Sequence, residues 1–180
     1  MKKHWPIIHI IGLPGAGKTT LGKRLSKKLG LPVFYIGTYR ARHTKTALGE
    51  ADAWLALFKD ISRHKWSNCI LEKTGLNKRE SFLKTVLPLG QRITVKLEAS
   101  RKTLYERIKL KKKKEQGGEW LYSIAYPDKF TFVRKFYKKF CHILADYSID
   151  TNHRTKTKVY QIALKEILSW ILIQKIYCRI

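Results

Sequence analysis

Acidic residues are scarce in this chain: 13 Asp and Glu stand against 38 Lys and Arg in 180 residues, a formal charge of +25. So basic a balance lies outside the usual range of small metabolic enzymes and makes a polyanionic partner or surface plausible. A simply solvated basic surface accounts for it equally well. Cysteine is equally sparse: Cys69, Cys141 and Cys178 are widely spaced, with no CxxC pair and no Cys/His cluster. That excludes a disulfide framework and a zinc site of standard spacing, and it points to a reducing compartment, the cytoplasm. Long apolar runs are missing too. No stretch reaches the length that crosses a bilayer, and the apolar tail Ile167–Ile180 is interrupted by Gln174, Lys175 and Arg179. Lys2 and Lys3 before the apolar segment imitate the opening of a secretory signal. The segment is short, however, has no small-residue cleavage site and runs into glycines, so it reads as a first strand.

What is present is concentrated near the start. Ile7, Ile8, Ile10 and Ile11 form a β-branched run suited to a strand buried on both faces. Gly12-Leu13-Pro14-Gly15-Ala16-Gly17-Lys18-Thr19 follows, and Thr20 opens a segment with Leu21, Leu25 and Leu29 at helical spacing. The order strand, GxxxxGK[ST], helix is a phosphate-binding loop. Gly12, Gly15, Ala16, Gly17, Lys18, Thr19 and Thr20 are therefore the expected nucleotide-binding residues. Successive N–H groups turn inward on phosphate oxygens, Lys18 reaches the β and γ phosphates, Thr19 ligates Mg²⁺, and the helix N-terminus adds its positive dipole.

Further along, strands and helices alternate. Strands are expected at 33–36, 69–71, 93–97 and 147–149, and helices at 47–61, from Asn77 toward Val86 with Pro88 closing it, from Ser100 onward, from Pro127 to Phe140, and at 156–176. The last of these carries too many apolar residues for a membrane-surface helix and is expected to pack on the sheet. The lysines at 111–114, followed by Gly117-Gly118, read as a mobile exposed loop. The pattern predicts one α/β domain over 1–180, a P-loop three-layer sandwich. Its five-stranded parallel sheet has the loop on a central strand, helices on both faces and a basic lid at about 109–126.

Several segments resemble the small P-loop kinases, the superfamily of nucleoside monophosphate kinases, shikimate kinase, polynucleotide kinase and the fructose-phosphate kinase domain. Gly37-Thr38-Tyr39-Arg40 is similar to the Gly-x-Tyr-Arg turn of the last of these. The resemblance makes Arg40, with Arg42 beside it, the candidate for holding an anionic acceptor, a task that suits an arginine fork. Glu72-Lys73-Thr74-Gly75, with Arg79 downstream, resembles an Asp-x-Thr segment, and Glu72 takes the place of the aspartate that orients the metal. Leu104-Tyr105-Glu106-Arg107-Ile108 resembles the lid helix, which gives Arg107 the role of stabilising the transferring phosphoryl group; Lys111 stands where a second arginine is common. Ile149-Asp150-Thr151-Asn152 is similar to the turn that passes near the adenine base.

One departure matters. Shikimate-type enzymes place an aspartate just after the second strand to take the acceptor proton, whereas this chain has Gly37 and Thr38. Either the acceptor is already a phosphate and needs no base, or Glu50, Asp52 or Glu72 supplies the carboxylate, or catalysis has been lost. The leading expectation is an ATP- and Mg²⁺-dependent phosphotransferase acting on a small anionic acceptor, a nucleotide or a nucleic-acid 5′ end. The alternative is a nucleotide-dependent nucleic-acid-binding protein with little kinase activity. Residues 101–140 hold 13 basic and 4 acidic side chains among aromatics. Trp120, Tyr122 and Tyr126 are expected to be exposed there, and most of Phe130, Val133, Phe136, Tyr137 and Phe140, at helical spacing, to form core. No Asn-Lys-x-Asp motif follows the fourth strand, which argues against a GTPase switch.

Overall fold

In the computed structural model of this chain, the residues described are 5–44, 46–76, 92–114 and 128–177, as backbone alone at 112–114 and 175–177. The segment from Asn77 to Pro88, the part of the expected lid beyond Lys114 with Trp120, Tyr122 and Tyr126, and Cys178 lie outside them.

The elements run β1 (Ile7–Gly12), α1 (Lys18–Leu29), β2 (Val33–Tyr35), α2 (Ile36–Arg40), α3 (Ala47–Arg63), β3 (Cys69–Lys73), β4 (Arg92–Glu98), α4 (Arg101–Lys114), α5 (Lys129–Cys141), β5 (Tyr147–Asp150) and α6 (Lys156–Tyr177). All strand pairs are parallel and the sheet order is β2-β3-β1-β4-β5. The isoleucine run thus lies at the centre, every residue of β1 is buried, and the loop that follows opens at the carboxyl edge of the sheet, where ligands of open α/β sheets bind.

Alternation along β1 divides the core in two. Ile8 and Ile10 join Ile70, Ile93, Val95 and Leu97 against Leu21 and Leu25 of α1 and Val159, Ala163 and Ile167 of α6. Ile7 points the other way, with Cys69 and Leu71, into Ile36, Tyr39, Trp54, Leu57 and Ile61 of α2 and α3. Two helical layers thus enclose the sheet. Polar side chains in the strands carry their own compensation: Lys96 is buried, donates to the Cys141 carbonyl at 2.9 Å, pairs with Glu98 at 2.6 Å and lies over the Phe140 ring.

Local signals set the boundaries. Thr46 caps α3 by accepting from Gly49 N–H at 3.0 Å, Ser100 caps α4 by accepting from Thr103 N–H at 3.1 Å, and Asp128 caps α5 through Phe130 and Thr131 N–H.

Four expectations are corrected or refined. The lysines at 111–114 are the last turn of α4, not a loop. Lysine has good helix propensity, and cations in a final turn complement the helix dipole, so four like charges do not end the helix. The residues at 36–40 form a short helix rather than a turn. On α5, Phe132, Val133 and Phe140 are buried while Phe130, Phe136 and Tyr137 are only half covered. On α6, Ile167 is core as expected, but Leu168, Leu172 and Ile173 are exposed.

Leu57 is fully buried between α3 and the sheet, so Leu57→Ala should lower the unfolding free energy by about 2–5 kcal/mol in urea titration. Burial pushes the Cys69 thiol up to about 12, which leaves almost no thiolate at pH 8. A Cys141→Ser/Cys178→Ser variant should therefore react with a thiol reagent at that pH only after unfolding.

Candidate nucleotide-binding site

The loop between β1 and α1 takes its shape from two left-handed glycines, Gly15 at φ 85° and Gly17 at φ 99°. An L side chain is strained at either. At Gly15 space forbids it as well, because an added Cβ would lie 2.9 Å from the Leu104 carbonyl oxygen of α4. Ala16 N–H closes the turn on Leu13 C=O at 3.1 Å, and Leu21 N–H begins the helical ladder on Gly17 C=O at 3.0 Å. Gly17 itself carries no side-chain cap. The first N–H groups of α1 thus follow a turn already bent for an anion.

Register carries the opposing wall. Ile10 of β1 lies beside Glu72 of β3, which lies beside Tyr35 of β2, so Glu72 ends its strand next to the loop. Its carboxylate accepts from Thr19 Oγ1 at 2.9 Å and faces Lys18 Nζ at 3.5 Å. Lys18 is 6% exposed, with its ammonium also 3.4 Å from Leu13 C=O. Burial, then the charge of Glu72, raises the Tyr35 hydroxyl above its ordinary pKa. Lys18 and Thr19 therefore meet Glu72, which lies 53 residues beyond Thr19 in sequence. A hydroxyl and a carboxylate side by side are hard oxygen donors, the kind Mg²⁺ takes.

Other candidates are placed elsewhere. Arg40 grips Glu50 as a fork, Nε to Oε2 at 2.7 Å and Nη2 to Oε1 at 2.6 Å, and Trp54 Nε1 donates to the same carboxylate at 2.8 Å. Arg42 is exposed, its guanidinium 5.8 Å from the Tyr39 ring centre. Arg107 reaches from α4 to the turn after β5, donating to Thr151 Oγ1 at 2.9 Å and to the Thr151 and Asn152 carbonyls. Burial lowers its pKa, with Asp150 opposing. The same turn holds the start of α4, since Asn152 Oδ1 accepts from Ser100 N–H at 2.7 Å. Sequence reasoning passed over two of these partners, Trp54 as a ligand of Glu50 and Thr151 as a ligand of Arg107. The only signal for Trp54 is its position one helical turn after Glu50.

Fold and loop together define a P-loop protein with the architecture of the small kinases. A family model described as AAA domain (AAA_18) matches residues 8–123, and the chain belongs to that family. Solved structures of the same fold include a shikimate kinase from Acinetobacter baumannii in complex with shikimate, at TM-score 0.64 and 22% identity, covering 92% of this chain and 94% of that one. A gluconokinase from Sinorhizobium meliloti 1021 superposes at TM-score 0.62 and 14% identity, covering 97% of each chain. A curated shikimate kinase from Paracidovorax citrulli (strain AAC00-1) is 64% identical over 25 residues, and this match spans 14% of each chain. Identities this low across the structures speak for the fold alone.

Gly15→Ala should weaken binding of a fluorescent ATP analogue by at least about tenfold, because the added methyl meets backbone and imposes strain. Gly30→Ala, also at positive φ but with open space around it, should cost stability in a thermal melt and leave nucleotide affinity near that of the parent.

Proposed function

We infer that the chain is an ATP-dependent phosphotransferase that moves the γ-phosphoryl group to an anionic acceptor, with a nucleotide or a nucleic-acid 5′ end favoured by charge. The observation that carries this reading is the convergence of Lys18 and Thr19 on Glu72 at the mouth of a loop already bent by Gly15 and Gly17.

The phosphates of ATP would lie along Gly12, Gly15, Ala16, Gly17, Lys18, Thr19 and Thr20, on main-chain N–H groups and the α1 N-terminus. Thr19 and Glu72 would hold Mg²⁺, which when bound neutralises charge on the triphosphate. Lys18, now shared between Glu72 and the Leu13 carbonyl, needs little movement to exchange those oxygens for phosphate. In the transfer itself an acceptor oxygen forms a bond to the γ-phosphorus as the bond to the β–γ bridging oxygen breaks, and the electron pair leaves with ADP. Catalysis of such a step is chiefly positioning and charge neutralisation.

Arg40 and Arg42 are the proposed acceptor contacts. Glu50 occupies the Arg40 fork through Nε and Nη2, so an acceptor anion would take the place of that carboxylate on an arginine already oriented. Arg107, by our reading, neutralises the transferring group from the lid side, and exchanging its carbonyl partners at Thr151 and Asn152 for phosphate oxygens completes that role. A nucleotide acceptor accounts for the missing carboxylate at 37–38, because its phosphate oxygen is itself an adequate nucleophile, whereas a 5′-hydroxyl end would draw on Glu50, Asp52 or Glu72 for the base. The shikimate and gluconate of the neighbours' names are hydroxy acids, which makes a hydroxy acid the competing acceptor class.

Labelled γ-phosphate offered with a panel of nucleotides, oligonucleotide 5′ ends, sugars and hydroxy acids tests this directly. Transfer to one class is expected, and Lys18→Ala should reduce it by at least about a hundredfold with the fold intact by circular dichroism. Nucleotide binding without transfer to any acceptor would instead support the binding-protein alternative.

A further inference from the structure

Part of the chain's excess positive charge lies on one helix face. Helix α5 has no acidic residue between Lys129 and Cys141. Its inward face is taken up by Phe132, Val133 and Phe140, all buried, while Arg134, Lys135, Lys138 and Lys139 are exposed on the outside. Arg134 and Lys138 are like charges one turn apart, an arrangement that destabilises a helix. The C-terminal dipole favours Lys138 and Lys139, which form the last turn. It does little for Arg134, one turn earlier, because the effect fades beyond the last turn. The neighbouring helix α4, joined to α5 by the Tyr105–Phe130 ring contact at 5.4 Å, adds exposed Arg101 and Lys102.

We propose that the outer face of α5 is a binding surface for a nucleic-acid strand, read through its phosphates and not its sequence. A row of cations rising about 5.4 Å per turn follows a linear polyanion, and each phosphate neutralised releases counterions. An acidic membrane is the poorer occupant. A helix that lies on lipid inserts an apolar face, and that of α5 packs against the core, with Phe132, Val133 and Phe140 buried and Phe130, Phe136 and Tyr137 half covered. The exposed leucines and isoleucine of α6, Leu168, Leu172 and Ile173, belong to another helix. The surface makes no use of Lys18 or of the phosphate loop, so it stands or falls apart from the phosphotransferase reading.

The test is fluorescence anisotropy of a labelled 20-nucleotide single strand with the full chain, without ATP, across a salt series. Three proteins are compared: the parent, Arg134→Glu/Lys138→Glu/Lys139→Glu on α5, and Lys23→Glu/Lys27→Glu/Lys28→Glu on the exposed side of α1 as a charge-matched control. The α5 variant should lose at least about tenfold in affinity near physiological salt and flatten the slope of log K against log salt by about 2, three cations at about 0.7 each. The α1 variant should lose clearly less. Glutamine substitutions at the same three α5 positions, which relieve repulsion rather than add charge, guard against misfolding and should show the same ranking. Equal losses from α1 and α5 would mean diffuse charge and overturn the proposal. So would absence of binding near physiological salt, or competition by phosphatidylserine vesicles as strong as by unlabelled strand at equal phosphate.

Discussion

The architecture around the loop depends on one side-by-side placement: parallel pairing of β1 with β3 sets Ile10 beside Glu72 and so holds a carboxylate across from Lys18 and Thr19. Shifting β3 by one residue would turn Glu72 to the opposite face of the sheet. Hydrophobic alternation forbids that shift, because Ile70 belongs to the α1 and α6 side while Cys69 and Leu71 belong to the α2 and α3 side. The apolar core thus fixes the position of a charged group that contributes nothing to it. Lys18 and Glu72 are both nearly inaccessible, and either one left alone at that depth would carry an uncompensated charge.

A second layer of polar contacts ties chain segments that the sheet alone does not join. Thr151 N–H and Oγ1 both donate to Glu98 C=O, at 2.8 and 2.9 Å, and the same residue receives Arg107. The turn after β5 therefore grips the end of β4, the start of α4 and a side chain nearly two turns into α4. On the other flank, Glu50 joins α2 to α3 through Arg40 while also holding Trp54, and the Lys73 ammonium at the end of β3 lies over that indole at 5.4 Å. Each network extends from the carboxyl edge of the sheet, where the phosphate loop opens, into a different helical layer.

How much of this could be read beforehand follows from chain distance. The phosphate loop was legible in full because its parts are consecutive: a β-branched run, spaced glycines, a lysine and a threonine, and a helix with leucines every fourth residue. Glu72 was legible because a strand end is a local event and the family resemblance gave that position a meaning. The fork on Glu50 was not, since an arginine's donors can reach any of several nearby carboxylates and Glu50 and Asp52 looked equivalent on paper. Arg107 was assigned to the transferring group from its helix alone; its ligands lie 44 residues further on, in a turn whose backbone carbonyls leave no trace in the side-chain sequence. The lysines at 111–114 misled for another reason. Charge density argues for exposure but says nothing about helicity, and exposed lysines prolong a helix as readily as they leave it.

At Gly15 the loop packs directly against α4, the space for a methyl being bounded by the Leu104 carbonyl and, a little further off, by the Ile108 side chain. With no side chain of its own to give way there, the loop would feel a tilt of α4 at its peptide groups.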